Sequence, residues 1–280
     1  MRALFSAELY RLLKQKSTYI ILGLCLFFMM LNSSLMGFLL GNADWLKEIY
    51  ENLMNSGVMN YYDTGTSQQL MAIFNAQASS TAEFIAVNLR GDIVFFIAAF
   101  EACFYAAEKK HGYIKNLAFR YDRPKIFLTH SILGLIFTAV LTILSTVFVG
   151  LISNIFLKGV DFGRFWALAG YVGVLILLYW TLLNFILICI DLFKSTTAAM
   201  ALVFVYLSLG SELLYSLIDV ILGAAFNASV SIRFFTPVGS LSVISFGDSK
   251  SCWTSVLCAV VYSAIAYLIE FFSMRNRDLA

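Results

Sequence analysis

Charged residues are scarce in this sequence, and their scarcity excludes an ordinary soluble domain. Asp, Glu, Lys and Arg make up 13% of the chain, whereas a typical soluble domain carries about 25%. Hydrophobic residues account for 60% and aromatic residues for 16%. No single soluble core could bury so much apolar surface, so we expect the lipid bilayer to be the solvent for most of the chain.

Motifs that would mark an enzyme or a metal site are also missing. No glycine is followed by lysine, so the chain has no phosphate-binding P-loop. The histidines, His111 and His130, have no zinc-site spacing, no G-x-S-x-G elbow is present, and the five cysteines have no metal-ligand spacing. We therefore predict that this chain alone is not an enzyme and that it holds no cofactor or metal.

Six apolar segments predict membrane spans, since a helix crosses the hydrocarbon core with about 20 residues. They lie near residues 18–40, 92–107, 126–157, 165–190, 196–222 and 251–272. The second is the shortest and contains Glu101, so it either borrows residues from 84–89 or lies where the protein is locally thin. The fold class is thus an all-α integral membrane protein with six transmembrane helices, forming one domain over 1–280.

The distribution of basic residues predicts the orientation. Thirteen Lys and Arg residues fall on the side of the two termini and six on the other. The positive-inside rule then places both termini in the cytoplasm, in agreement with an even number of spans. We expect the first apolar run to be retained as a span, because it is too long for a signal peptide.

The first sixteen residues predict an amphipathic helix in the cytoplasmic membrane interface. Phe5, Leu9, Leu12 and Leu13 are expected on one side of it, with Arg11 and Lys14 roughly opposite. A basic anchor that only sets the topology is the alternative, and the two interpretations are compatible.

Two predicted outer segments are long enough to have structure of their own. Residues 41–91 are acidic, and the apolar spacing over 45–53 predicts a short amphipathic helix that is either a lid without a ligand or a specific binding element. Residues 223–250 are too apolar for a solvated loop, which predicts a re-entrant or interfacial element between the last two spans.

Carboxylates within or near the apolar runs are candidates for a translocation path or a subunit seam. They are Glu101, Glu212, Asp219 and Glu270. A carboxylate at the bilayer centre costs roughly 2.5–3.5 kcal/mol, so each should face protein or water. Both a functional and a merely structural role stay open for Glu101 and Glu212, whereas positions near the interfaces are favoured for Asp219 and Glu270.

The most specific pattern lies between the second and third predicted spans. The segment 108–125 concentrates six basic residues and reads Glu108-Lys-Lys-His-Gly112-Tyr-Ile-Lys115-Asn116, followed by Arg123-Pro-Lys125 where the third span begins. Together with the basic amphipathic N-terminus, this layout resembles the permease subunits of type-2 ATP-binding-cassette exporters, especially small bacterial ones that move antimicrobial peptides or drugs. Two departures are the charged Phe119-Arg-Tyr-Asp lead-in and the long outer segment 41–91.

The resemblance implies that residues of about 108–123 form a cytoplasmic coupling helix on a separate ATPase, and that residues 1–16 form the connecting helix. It assigns the coupling role to Glu108, Lys109, Lys110, Gly112, Tyr113, Ile114, Lys115, Asn116, Arg120 and Arg123. ATP and Mg²⁺ would be bound by that ATPase dimer. A second permease subunit, identical or homologous, and membrane lipid would complete the partners, with no nucleic acid, in a bacterial cytoplasmic membrane.

Other functions stay open beside this one. The basic cluster could simply obey the positive-inside rule. An ion-coupled secondary transporter would require Glu101 or Glu212 without any ATPase, and a membrane sensor or immunity scaffold would tolerate substitutions in 108–123. The expected substrate of an exporter is amphipathic or hydrophobic, such as a bacteriocin, another antimicrobial peptide, a drug or a lipid-like molecule.

Overall fold

The protein is a helical membrane protein in the part of the chain that the structure describes. The structure, a computed structural model, describes residues 2–41, 81–90, 93–110, 113, 117, 120–121, 123–156, 165–193, 195–226 and 232–276. These residues include no β-strand. The all-α class predicted from the apolar runs is therefore confirmed for the described residues.

The described residues form eleven α-helices. They are α1 (Arg2–Lys14), α2 (Lys16–Gly41), α3 (Thr81–Leu89), α4 (Ile93–Glu101), α5 (Ala107–Lys110), α6 (Arg123–Phe156), α7 (Phe165–Leu192), α8 (Thr196–Val205), α9 (Ser211–Phe226), α10 (Pro237–Val243) and α11 (Ser249–Asn276). A π-helical segment joins α4 to α5 at Ala102–Ala106, and a second joins α8 to α9 at Tyr206–Gly210.

Four of these helices are long and apolar enough to cross a membrane. They are α2, α6, α7 and α11, and a fifth span results if α8 and α9, which are bent by 67° at their junction, count as one. The predicted second span corresponds to the helical run 93–110, which carries Glu101, Glu108, Lys109 and Lys110. A membrane-embedded protein is thus confirmed, whereas the six-span count and the orientation stay predictions.

The central helix of the bundle is α7. It packs against α3, α4, α6, α8, α10 and α11. In its most apolar stretch, 67% of the residues are buried inside the protein. α2 packs against α6. Burial on most of its circumference explains why α7 is apolar all round rather than on one stripe.

Hydroxyl side chains within α6 are compatible with its apolar surroundings because they bond to their own helix. Thr142 donates to the carbonyl of Thr138 at 2.7 Å, and Thr146 donates to that of Thr142 at 2.7 Å. This intrahelical bonding satisfies the hydroxyl without a partner on another helix.

The short helix α10 lies within the predicted re-entrant segment 223–250. Thr236 caps its start by accepting a hydrogen bond from the Gly239 amide at 3.2 Å, and Pro237 follows in the first turn. α10 packs against α7 and α11. A structured element is present there, while its position relative to the membrane stays a prediction. The amphipathic helix predicted over 45–53 lies outside the described residues.

Hydrogen bonds to backbone carbonyls hold α3 in the bundle at the end away from α1. Tyr179 of α7 donates to the carbonyl of Leu89, and Tyr171 donates to that of Ala86 at 3.4 Å. Arg90, just after α3, donates to the carbonyl of Ile244 at 2.8 Å. These bonds join α3 to α7 and to the turn after α10.

The N-terminal helix α1 forms as predicted but presents a different face. Its buried side chains are Leu4, Glu8 and Leu12, one turn apart, and Arg11 turns toward Glu8. Leu13 is 54% exposed. Arg11 and Leu13 thus lie on different sides of α1, in agreement with the predicted pattern, but the side with Arg11 is the one that packs into the bundle. The position of α1 in the membrane interface stays a prediction.

Candidate functional site

Five side chains from three parts of the chain meet where α1 packs against α6. We define the Glu108 cluster as Glu8, Arg11, Glu108, Tyr113 and His130. The Arg11 guanidinium contacts the Glu108 carboxylate and lies 3.2 Å from Glu8 Oε2. Tyr113 donates to Glu8 Oε1 at 3.1 Å. The Nε2 atom of His130 lies 3.5 Å from Glu108 Oε2.

The two carboxylates and the imidazole of the Glu108 cluster are shielded from solvent. Glu8, Glu108 and His130 are buried, with exposed fractions of 0%, 5% and 3%. The Arg11 guanidinium lies 4.2 Å from the ring centroid of Phe104, a distance typical of a cation–π contact. The His130 ring packs edge-on to Tyr105, with centroids 4.8 Å apart. The low local dielectric strengthens the interactions between these charges.

Burial also shifts the pKa values of the cluster members outside the membrane spans. Desolvation raises the pKa of Glu8, although the nearby Arg11 charge and the Tyr113 hydrogen bond oppose this shift. Desolvation lowers the pKa of Arg11, opposed by the charge of Glu8. The pKa of Tyr113 is raised by burial and by its contact with Glu8. The charges are thus coupled across α1 and the segment that follows α5.

A second group of charges lies on the other side of α5. We define the Asp191 cluster as Tyr105, Lys109, Asp191 and Glu270. Tyr105 donates to Asp191 Oδ2 at 2.6 Å, and Lys109 Nζ lies 3.6 Å from Asp191 Oδ1. The buried Glu270 also interacts with Asp191. Lys109 donates in addition to the carbonyls of Ile190 and Phe193, so it caps the C-terminal end of α7.

The two clusters are joined through α5, because consecutive residues of this short helix belong to different clusters. Glu108 faces α1 and α6, whereas Lys109 faces the end of α7. The π-helical segment directly before α5 is bound to the N-terminal region as well, since Gln15 donates to the carbonyl of Cys103 at 2.9 Å. A displacement of α5 would therefore act on three helices.

A cleft opens beside the Glu108 cluster. Its volume is about 420 Å³, and Arg11, Lys14, Gln15, Phe104 and Tyr113 contribute to its wall. The cleft adjoins the Arg11 side chain, which is partly exposed.

The predicted coupling residues divide into inward and outward groups. Glu108 and Lys109 contact their own chain, as described above, while Arg120 is exposed and Tyr113 is 36% exposed. The side chains of Lys110 and Arg123, and residues Gly112, Ile114, Lys115 and Asn116, lie outside what the structure describes. Contact of these residues with an ATPase stays a prediction.

Two of the candidate path residues, Glu101 and Glu270, lie at or beside the Asp191 cluster, whereas Asp219 belongs to α9. Glu101 is 1% exposed and interacts electrostatically with Asp191, beside the Asp191 cluster. Asp219 is half-buried on α9, and the side chain of Glu212 lies outside the described set. Glu270 is buried with Asp191, so it makes a specific contact that sequence reasoning did not predict.

Sequence reasoning missed four site residues, which are Glu8, Tyr105, His130 and Asp191. The available signal was a carboxylate interrupting an otherwise apolar stripe, as Glu8 does between Leu4 and Leu12. Asp191 similarly ends the long apolar helix α7.

The comparisons with known proteins identify no relative. The sequence matches no protein-family model, no curated protein and no solved structure. The described helices and their buried side chains define a helical membrane protein with charged clusters at one end.

Proposed function

We propose that this chain is the membrane-spanning permease subunit of an ATP-driven exporter of the type-2 ATP-binding-cassette class. The observation that carries the proposal is the placement of α5 between the two clusters. A partner that moves the segment after α5 would act on α1 and α6 through Glu108 and on α7 through Lys109. Transmission through discrete packed contacts is how such motions reach a distant path.

The sequence pattern supports the same role. The segment 108–125 is short and rich in basic residues, and charge gives steering and register at a protein interface. Tyr113 and Arg120, which are exposed, are the described residues best placed to meet an ATPase. The coupling helix would also use Lys110, Gly112, Ile114, Lys115, Asn116 and Arg123.

The complete transporter would contain two permease subunits and two ATPase subunits. ATP and Mg²⁺ would be bound by the ATPases, and their closure would alternate the access of a path between the permeases. Six spans, with both termini in the cytoplasm of a bacterium, fit this arrangement. The substrate would be amphipathic or hydrophobic, such as an antimicrobial peptide or a drug.

Co-purification from native membranes tests this function. The tagged chain should bring down an ATP-binding subunit, and Arg120→Glu with Lys115→Glu should abolish that association because both reverse charges of the docking segment. Lys250→Glu is the matched control, since Lys250 is an exposed basic residue on α11 in the predicted outer region. No ATPase with the unmodified chain, or equal loss in the control, would contradict the proposal.

An ion-coupled carrier is a second candidate, favoured by the buried carboxyl groups of Asp191, Glu270 and Glu101. Such a cluster within apolar helices is typical of proton and cation pathways. Reconstituted chain without ATPase should then transport substrate under an ion gradient, and Asp191→Asn should abolish that transport. Transport that needs an ATPase and ATP would exclude this candidate.

A further inference from the structure

Three side chains of the Glu108 cluster have the composition of a metal site. Glu8, Glu108 and His130 each offer one ligand atom, and these atoms lie within 4.8 Å of one another. Ligand atoms around a tetrahedral zinc ion are about 3.4 Å apart for metal–ligand bonds of about 2.1 Å. Small side-chain rotations would therefore close this triad around an ion.

The environment of His130 is the second observation that points to a ligand. The side chain is 3% exposed, and neither ring nitrogen makes a hydrogen bond within the described protein. Nε2 is directed at the Glu108 carboxylate, 3.5 Å away. A buried polar group without a hydrogen bond costs about 1–3 kcal/mol. Coordination of a metal by the neutral imidazole would satisfy that nitrogen.

The charges of the cluster suit a divalent ion in place of the Arg11 guanidinium. The carboxylates of Glu8 and Glu108 together carry two negative charges when ionised, and the Arg11 guanidinium between them supplies one positive charge. A divalent ion at the same place would neutralise both carboxylates. Arg11 and a metal ion would then be alternative occupants, and the adjoining cleft of about 420 Å³ is the space into which the guanidinium would move.

We propose that Glu8, Glu108 and His130 bind a divalent transition-metal ion, with Zn²⁺ as the best fit, in exchange for the Arg11 guanidinium. One imidazole nitrogen and two carboxylate oxygens are ligands that zinc uses, whereas Mg²⁺ and Ca²⁺ favour oxygen ligands alone. The sequence spacing indicated no such site because the ligands are 100 and 22 residues apart (8 to 108, and 108 to 130).

The consequence of metal binding would be a cross-link between three elements. Glu8 belongs to α1, Glu108 to α5 and His130 to α6. A shared ion would hold α5 against both neighbours and restrain its displacement. The metal site itself does not depend on the transport proposal; only a braking effect on ATP-driven coupling would rest on it.

Zinc binding to the full-length chain in detergent micelles is the test. The protein is stripped with a chelator, and its affinity for Zn²⁺ and the visible spectrum with Co²⁺ are measured. His130→Gln should weaken Zn²⁺ binding by roughly tenfold or more. The loss of a group that only supports a metal ligand already weakens metal binding by that much, and His130 is proposed to be a ligand itself. His111→Gln, the chain's other histidine, should leave the affinity unchanged.

Arg11→Gln provides a test in the opposite direction. Removing a positive charge a few ångströms from the ion should tighten Zn²⁺ binding by roughly tenfold or more, and Zn²⁺ should raise the Tm of this variant more than that of the unmodified chain. Tighter binding with Arg11→Gln, and weaker binding with His130→Gln where that variant folds, would support the site. Unchanged or weaker binding with Arg11→Gln, or equal effects of the two histidine variants, would overturn it.

Discussion

The two ends of the helical bundle are held together by different kinds of polar contact. At the end with α1, Arg11 and Lys109 pair with carboxylates from other parts of the chain. At the end with α3, tyrosine hydroxyls and Arg90 donate to backbone carbonyls. A buried ion pair depends on both partners, whereas a backbone carbonyl keeps its position whatever donates to it. The first end is therefore more sensitive to single changes of charge than the second.

Removal of the Arg11 charge should produce the largest loss of folding stability and sharpen this contrast. Arg11→Gln leaves the buried carboxylates of Glu8 and Glu108 without their counter-charge. Breaking a buried pair in this way costs roughly 3–5 kcal/mol of folding free energy. Chemical unfolding in detergent, with a chelator present, measures the loss.

The matched control for that substitution lies one turn further along α1. Lys14 is exposed, and its Nζ lies 5.0 Å from the ring centroid of Tyr10, a contact worth about 0.5–1 kcal/mol at an exposed site. Lys14→Gln should therefore have a much smaller effect. Equal losses for the two variants would mean that the buried pairing of Arg11 contributes nothing, and the contrast between the ends would fail.

A substitution at Gly239 should produce the next largest loss of stability, and it tests the end with α3 through packing alone. A Cβ atom at Gly239 would lie 2.4 Å from the carbonyl oxygen of Arg233. Backbone atoms cannot rotate away, so Gly239→Ala should cost about 1–3 kcal/mol through overpacking. Gly170→Ala is the control because nothing lies within 4 Å of its added Cβ. Thermal unfolding of both variants tests this prediction. Equal Tm values would show that the close approach of Gly239 to the Arg233 carbonyl does not restrict the side chain.

The long helices could be predicted from sequence because an apolar run of sufficient length has few alternatives in a membrane protein. The runs of 18–40, 126–157, 165–190 and 251–272 coincide closely with α2, α6, α7 and α11. The face of α1 could not be predicted in the same way. Its orientation depends on Glu108, which lies 97 residues beyond Arg11 in the sequence (11 to 108).

The free energy of unfolding should depend less on Tyr179, which makes a neutral hydrogen bond, than on Arg11. Tyr179→Phe removes a hydroxyl that donates to the carbonyl of Leu89, which should cost about 1 kcal/mol. Tyr171→Phe should cost less, because its bond to the carbonyl of Ala86 is longer, at 3.4 Å. Unfolding free energies of the pair check this order. A loss for Tyr179→Phe as large as that for Arg11→Gln would break the comparison.

The prediction for Glu8 concerns how stability changes with pH, because burial and the Arg11 charge shift its pKa in opposite directions. Burial raises the pKa of Glu8 above 4.5, so folding favours the protonated form and ionised Glu8 costs stability above its folded-state pKa. Acidification through that pKa relieves the cost. The Tm difference between Glu8→Gln, which stays neutral, and the unmodified chain should therefore shrink as the pH falls from neutral toward 4.5. A constant difference would show that Glu8 does not titrate differently on folding.

The charged clusters were harder to predict than the helices because they depend on tertiary contacts. The basic residues of 108–125 were visible as a group, but Glu108 and Lys109 are bound to their own chain, and their partners lie far away in sequence. Asp191 is 82 residues from Lys109 (109 to 191). Such pairs have no periodicity, so only the burial cost of an unpaired charge indicates that a partner must exist.

The π-helical segment Ala102–Ala106 has an evolutionary consequence for the end of the bundle with α1. Its wide turn accommodates one residue more than an α-helical turn, so α4 and α5 keep their faces despite the additional residue. A related chain shorter by one residue at this place could close into a regular helix and retain both clusters. A deletion within α5 would instead rotate the following side chains by about 100°. The π turn is thus a position at which this helix can change its length during evolution without changing its partners.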